Sequence, residues 1–178
     1  MPHAGEPVGP IPAGLDPEEY DRTRRRVLWS LPTGLYLLGS RAGERRNLMT
    51  LSLAVQLSTD PKLVGVAVES GAVTHSLVSD GGAFALSVLA REDRAIVRRF
   101  VKPAEWDGAA LNGEAVHERA TGCPVLDRAV AYLDCRLERA VDLGAHTLFV
   151  GEVLDAGFLR AEDTPVLRME DTRMSYGG

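Results

Sequence analysis

The segment that most constrains this chain is residues 47–61, NLMTLSLAVQLSTDP, which is followed by an apolar run over residues 63–69. Polar side chains that can form hydrogen bonds recur along it between Leu, Met, Val and Ala, at Asn47, Thr50, Ser52, Gln56 and Ser58. The pattern is typical of a β-strand that ends in a turn at Asp60-Pro61. Because a buried polar group costs free energy unless it is hydrogen-bonded, two interpretations are open: the strand borders a polar ligand, or its polar side faces water.

Length and composition limit the class of protein. A chain of 178 residues can form one domain with a substantial hydrophobic core. Its net charge of −5 disfavours nucleic acid or an anionic membrane as the main partner, and no apolar run approaches the roughly 20 residues that span a bilayer. Cys123 and Cys135 have neither metal-ligand spacing nor the pattern of a disulfide framework, so we expect a protein of the reducing cytoplasm.

The N-terminal part of the chain changes character at about residue 15. Residues 1–14 contain several Pro and Gly without periodicity, and we expect a flexible arm followed by a single domain over residues 15–178. A helix is predicted to begin at Asp16, where Asp16 can cap it, Pro17 suits the first helical position, and Glu19 is placed as a capping-box partner.

Strand patterns dominate the chain from residue 35 onward. Strands are predicted over residues 35–39, 47–57, 63–68, 83–89, 132–141 and 148–154, a polar loop over 41–46, helices over 73–79 and 92–101, and a further loop over 102–113. Residues 132–141 alternate so that Leu133, Cys135 and Leu137 share one face, which predicts Cys135 as a small core residue. Many strands joined by short turns predict a mainly β barrel or sandwich with a few helices.

The chain carries no motif of a serine nucleophile, a phosphate-binding loop or a dinucleotide-binding turn. Its four histidines lack the spacing of metal ligands, so no metal site is predicted. A protein of this kind can take its reactivity from a bound cofactor.

Four blocks of sequence, in this order, resemble the flavin reductase-like, FMN-binding split-barrel family. They are the Pro-Thr-Gly turn at residue 32, then NLMTLSLAVQLSTDPKLVGVAVE, VTHSLVSDGGAFALSVL and GAHTLFVGEV. The resemblance extends over residues 30–155 and implies a six-stranded antiparallel split β-barrel of Greek-key order with a few flanking helices.

The same resemblance implies an enzyme, an NAD(P)H-dependent flavin reductase. It would transfer a hydride from NADH or NADPH to bound FMN, with FAD as the alternative flavin. A homodimer is implied, together with a partner monooxygenase that receives the reduced flavin, and no nucleic acid or membrane partner is expected. Two other functions stay open: a flavin-binding redox protein with another substrate, and a non-enzymatic split-barrel protein that binds flavin or haem.

The residues that match the family's cofactor-lining positions are Ser40, Arg41, Asn47, Met49, Thr50, Leu51, Ser52, Gln56, Leu57, Ser58, Ser70, Thr74 and His75. His146 matches the histidine of the family's His-Thr-x-Phe-Val-Gly block and is expected on the nicotinamide side. Its alternative role is that of a hydrogen-bonded histidine at the start of a strand. Leu and Met alternating with Thr, Ser and Gln suit a flavin, which needs an apolar surface under its ring and hydrogen-bond partners along its polar edge.

Overall fold

The computed structural model describes residues 9–172 and residue 174, so most of the arm predicted over residues 1–14 lies outside the described residues. The chain divides into two compact units. The larger unit is Thr33–Thr172, and the smaller one combines Met1–Pro32 with Arg173–Gly178. The prediction of a single domain over residues 15–178 stays a prediction.

The smaller unit contains one described helix, α1 (Pro17–Leu28). Asp16 caps it, because its Oδ1 accepts a hydrogen bond of 2.9 Å from the backbone N–H of Glu19. Basic side chains in the last turn suit the negative end of the helix dipole. The helix start predicted from the sequence is confirmed. None of the helices in the described part of the chain is long and apolar enough to cross a membrane.

The larger unit, all of which is described, contains ten strands and one further α-helix. The strands are β1 (Tyr36–Ala42), β2 (Arg45–Leu51), β3 (Ala54–Thr59), β4 (Lys62–Glu69), β5 (Ala83–Val88), β6 (Ala110–Leu111), β7 (Glu114–Glu118), β8 (Pro124–Leu126), β9 (Ala131–Asp142) and β10 (His146–Phe158). The helices are α2 (Val73–Gly81) and two 3₁₀ helices, Arg91–Phe100 and Met169–Asp171.

Seven strands form one antiparallel sheet in the order β2-β1-β5-β9-β10-β4-β3. Its edge strands β2 and β3 are joined by Ser52 and Leu53 alone. Because so short a connection spans at most about 10 Å, the sheet must curl until its two edges approach each other. The result is a barrel that is open between β2 and β3, and the expected mainly β, antiparallel class is confirmed.

The prediction of a single strand over residues 47–57 was wrong, and this accounts for seven strands in place of six. The chain turns at Ser52, whose carbonyl accepts a hydrogen bond from the N–H of Ala54 at 3.1 Å, and passes from one edge of the sheet to the other. The loop predicted over residues 41–46 is also shorter, because β1 and β2 continue to a tight turn at Gly43, where φ is +57°.

Two further predictions needed correction. The loop expected over residues 102–113 contains β6, which pairs with β7 in a three-stranded sheet, β6-β7-β8. Asn112 and Gly113 turn this hairpin with positive φ angles of 49° and 75°, as an Asn-Gly dipeptide favours. The helix predicted over residues 92–101 is a 3₁₀ helix, although its expected apolar face, including Val97, is buried.

The barrel interior holds one hydrophobic cluster, formed by Leu38, Leu51, Val64, Val66, Val68, Val78, Phe84, Leu86, Cys135 and Phe149. The prediction that Cys135 is a core residue is confirmed. On the other face of β9, Asp134 is fully buried and accepts hydrogen bonds from the backbone N–H of Thr121, at 2.8 Å, and from its hydroxyl. A buried carboxylate is stabilised by such bonds.

Candidate functional site

Strand β2 presents its side chains alternately to the two faces of the sheet. Met49 and Leu51 face the barrel interior and pack in its hydrophobic cluster. Thr50 faces the other way, where its Oγ1 donates a hydrogen bond of 2.7 Å to the carbonyl of Val97 in the first 3₁₀ helix. The residues that match the family's Met-Thr-x-Ser segment are therefore divided between the face of β2 in the barrel core and the face that packs against the first 3₁₀ helix.

Ser52 lies where β2 ends and the chain turns toward β3. Only 5% of the residue is exposed, and its hydroxyl has no hydrogen-bond partner among the residues that the structure describes. The hydroxyl oxygen is not fully enclosed by the protein, so it can be reached by a ligand and is a candidate to bind one.

Ser52 and His146 lie at the same end of the large sheet. Leu53, which follows Ser52, accepts a hydrogen bond at its carbonyl from the N–H of Ala67 in β4, at 2.9 Å. Two residues further along β4, Glu69 pairs with His146 of β10. Because neighbouring strands are about 5 Å apart, Ser52 and His146 are separated by about two strand spacings, or 10 Å.

His146 is the first residue of β10. Its Nε2 atom is buried, yet it has no hydrogen-bond partner in the described part of the chain. Nearby, Ser70 follows the end of β4 and donates a hydrogen bond of 3.2 Å from its hydroxyl to the carbonyl of Gly144. The end of the sheet thus combines the free hydroxyl of Ser52 with an imidazole nitrogen that is also free to bind.

His75 lies on the opposite face of β10 from His146. Its Nε2 is 2.8 Å from the hydroxyl of Thr147, and its ring lies 5.1 Å from that of Phe149 in the core. Neighbouring residues of a strand point to opposite faces, so a histidine bound to Thr147 cannot share a face with His146. Sequence reasoning assigned no role to Thr147. Its position directly after His146 in the block that matches the family could have identified it.

Asn47 and Thr74 are buried and hydrogen-bonded to each other, from Nδ2 to Oγ1 at 2.9 Å. The Oδ1 atom of Asn47 also accepts a bond of 2.7 Å from the N–H of Ala104. Ser40, which pairs with Asn47 across the hairpin, is fully buried, and its hydroxyl has no partner among the described residues. The hydrogen bonds of Asn47, Thr74 and His75 hold α2 against the barrel. That these residues bind flavin stays a prediction.

The remaining matched residues lie elsewhere. Arg41 pairs with Glu118 of β7 at 3.0 Å, so its charge is partly engaged within the protein. Gln56 donates a hydrogen bond of 3.3 Å to the carbonyl of Ser58 on the edge strand β3, where Leu57 is exposed. The structure therefore groups Thr50, Ser52, Ser70 and His146 toward one end of the sheet. It places Met49 and Leu51 in the barrel core, and the others around α2, at the β1–β2 hairpin or along β3.

The two cysteines are buried free thiols. Burial raises the pKa of Cys123 to about 11 and that of Cys135 to about 12. Both are therefore protonated at neutral pH and are not activated nucleophiles. Within residues 9–172 and 174, no group of three or more His, Cys, Asp or Glu side chains is placed to hold a metal ion.

Comparison with known proteins identifies the family. The model of the flavin reductase like domain matches residues 28–177. Over 136 residues the chain is 31% identical to the high molecular weight rubredoxin of Moorella thermoacetica, a match that covers 75% of this chain and 59% of that protein. The chain thus spans less than two thirds of the length of this relative.

Solved structures agree with this assignment. The NADH:FAD oxidoreductase of Streptomyces globisporus superposes with a TM-score of 0.74 at 28% identity, covering 89% of this chain and 93% of that one. The styrene monooxygenase flavin reductase of Pseudomonas putida superposes with a TM-score of 0.66 at 30% identity, covering 77% and 87%. The family match over most of the chain, the split barrel and these relatives agree: the protein belongs to the flavin reductase-like family.

Proposed function

We propose that this protein is an NAD(P)H-dependent flavin reductase. The observation that carries the proposal is the buried, unpartnered Nε2 of His146 at one end of a barrel of this family, the end at which the hydroxyl of Ser52 also has no partner among the described residues. The relatives named as an NADH:FAD oxidoreductase and as the flavin reductase of a monooxygenase support it.

The protein's own groups bind and orient the reactants. In this proposal Ser52 and the acceptor lone pairs of Thr50 meet the polar edge of a flavin, while His146 contacts the nicotinamide side. A bound flavin supplies the redox chemistry by accepting a hydride from NADH or NADPH. Since two reactants held in contact gain a large rate advantage from position alone, the site needs no acid or base from the protein. FMN and FAD share the ring that makes these contacts, and either satisfies them.

A homodimer is part of the proposal. On the edge strand β3, Val55 is 58% exposed and Leu57 is 45% exposed. An edge strand with exposed apolar side chains is prone to pair with another chain unless it is covered. Alternation along the paired strands places Val55 and His146 on the same outer face of the sheet, so a second copy that covers β3 would border the site.

We also propose that the reduced flavin passes to a separate monooxygenase. The relative from Pseudomonas putida, which is the flavin reductase of a styrene monooxygenase, supports this partner class. The buried thiols agree with a reducing, cytoplasmic setting.

Replacing Ser52 with alanine should raise the dissociation constant for flavin about fivefold, because one hydrogen bond contributes about 1 kcal/mol. Ser79→Ala, which removes an exposed hydroxyl from α2, is the matched control and should leave the constant unchanged. Fluorescence titration with FMN and with FAD measures both. If Ser52→Ala binds both flavins as tightly as the parent, the pocket lies elsewhere. Thr50 is less suitable for this test, since its substitution also removes the bond to Val97.

Replacing His146 with alanine should raise the KM for the nicotinamide or slow turnover by less than about 100-fold, as expected for a residue that orients a reactant. His117→Ala is the control, because His117 bonds to Asp127 beside the small sheet. Steady-state oxidation of NADH and NADPH with saturating flavin measures both variants. A loss of about 10²–10⁴-fold in kcat would instead indicate obligatory proton transfer. If the parent protein oxidises neither nicotinamide with any flavin, the reductase function is wrong.

A further inference from the structure

A cleft of about 460 Å³ opens where β5 leads into the first 3₁₀ helix, and its walls are formed by Ala90, Arg91, Glu92, Arg94, Thr164 and Pro165. Small-molecule sites in proteins typically measure about 300–1,000 Å³. The two sides of the cleft are joined by a backbone hydrogen bond of 2.8 Å from the N–H of Arg91 to the carbonyl of Pro165. The walls are therefore held in place by the fold.

The charges in the cleft favour an anion. Arg94 has no ion pair or hydrogen bond with any residue that the structure describes. The carboxylate of Glu92 is engaged at 2.8 Å by Arg160, while Arg91 pairs at 3.1 Å with Asp171. The acidic groups are thus compensated, and the guanidinium of Arg94 is left to bind a phosphate, for which its geometry is well suited.

The cleft adjoins the face of β2 that carries Thr50. Arg94 precedes Val97 by one turn of the 3₁₀ helix, a rise of about 6 Å. Val97 in turn accepts the hydrogen bond from Thr50. Arg94 of the cleft therefore lies about one helical turn from the residue that Thr50 contacts.

We propose that the cleft binds the adenosine 5′-phosphate portion of a dinucleotide, with the purine against Pro165 and the phosphate on Arg94. The combination of apolar walls and an uncompensated arginine fits this group better than a simple anion, which has no apolar part. The proposal rests on the reductase function, which supplies two sources of the same chemistry: FAD, or the nicotinamide dinucleotide. FMN lacks this portion and serves as the reference ligand.

The test compares Arg94→Ala with Arg98→Ala. Arg98 is an exposed arginine of the same helix, has no partner in the described part of the chain, and does not line the cleft. If the cleft binds the adenosine phosphate of FAD, Arg94→Ala raises the dissociation constant for FAD about tenfold or more and leaves that for FMN unchanged. If the cleft binds the adenosine phosphate of the nicotinamide dinucleotide, the variant raises the KM for NADH or NADPH, measured with FMN as the flavin. Arg98→Ala changes none of these values.

A second variant fills the cleft without changing its charge. Thr164→Phe should weaken binding of the same ligand as Arg94→Ala does. AMP should bind the parent in a titration, and both variants should bind it more weakly. The proposal is overturned if AMP does not bind the parent, or if neither variant changes FAD binding or the nicotinamide KM. It is also overturned if Arg94→Ala weakens the binding of FMN as much as the binding of FAD. The parent's own flavin binding and NAD(P)H oxidation are measured alongside, so a failure of the reductase function is recognised separately.

Discussion

Replacing Gly81 with alanine is expected to lower the free energy of unfolding by about 3 kcal/mol or more. Gly81 is the last residue of α2, and a Cβ atom there would lie 1.8 Å from the carbonyl oxygen of Arg41 in β1. A backbone atom cannot rotate away, so either α2 or β1 must shift. Because Asn47, Thr74 and His75 tie α2 to the barrel, a shift of α2 would also strain their hydrogen bonds.

Gly71→Ala is the matched control, since a Cβ at Gly71 would have nothing within 4 Å. The free energy of unfolding of Gly71→Ala should be within about 0.5 kcal/mol of that of the parent. Denaturant unfolding followed by circular dichroism measures both variants. Equal stability of Gly81→Ala and the parent would show that α2 can move from β1 at no cost, contrary to the close packing of these two elements.

Introducing aspartate at Val55 is expected to separate the proposed dimer into monomers at micromolar concentration. Val55 is 58% exposed in the single chain, on the edge strand β3. In a dimer that covers β3 the new carboxylate would be buried without a partner, which costs several kcal/mol. A cost of about 3 kcal/mol already weakens association more than 100-fold.

Val101→Asp is the control for this effect, because Val101 has the same exposure of 58% and lies outside β3. Sedimentation or light scattering with flavin present distinguishes the species. A parent mass near the 19.2 kDa of one chain would contradict the dimer itself. If the dimers of Val55→Asp and Val101→Asp dissociate to the same extent, the proposal that β3 forms the dimer contact is contradicted, since only Val55 lies on that strand.

Features with a local cause were predicted well from the sequence. The start of α1 follows from Asp16 and Pro17, whose capping geometry involves only neighbouring residues. The helix predicted over residues 73–79 ends two residues later, where Gly82 adopts the left-handed conformation with φ of +65°. The core position of Cys135 follows from the period of two along β9. In each case the signal and the structure that it specifies lie within a few residues of each other.

Features that depend on the closure of the sheet were not predicted. Residues 47–57 have the composition of one strand, but the chain breaks at Ser52 because β2 and β3 occupy opposite edges of the sheet. The small sheet β6-β7-β8 was missed although Asn112-Gly113 is a hairpin signal, because its strands are short and carry little periodicity.

The sequence by itself determined the family, the antiparallel β class and the set of polar residues from which a flavin site could be built, because motif order and side-chain period are properties of the chain alone. Only the tertiary structure decided which of those residues keep a free hydrogen-bonding atom. Thr50 bonds to Val97 and Asn47 to Ala104, partners far along the chain. By contrast, Ser40 Oγ and His146 Nε2 are buried without a partner among the described residues, and Ser52 Oγ has none there either. Hydrogen-bond satisfaction depends on contacts that exist only once distant segments have packed together, so no local pattern can encode it.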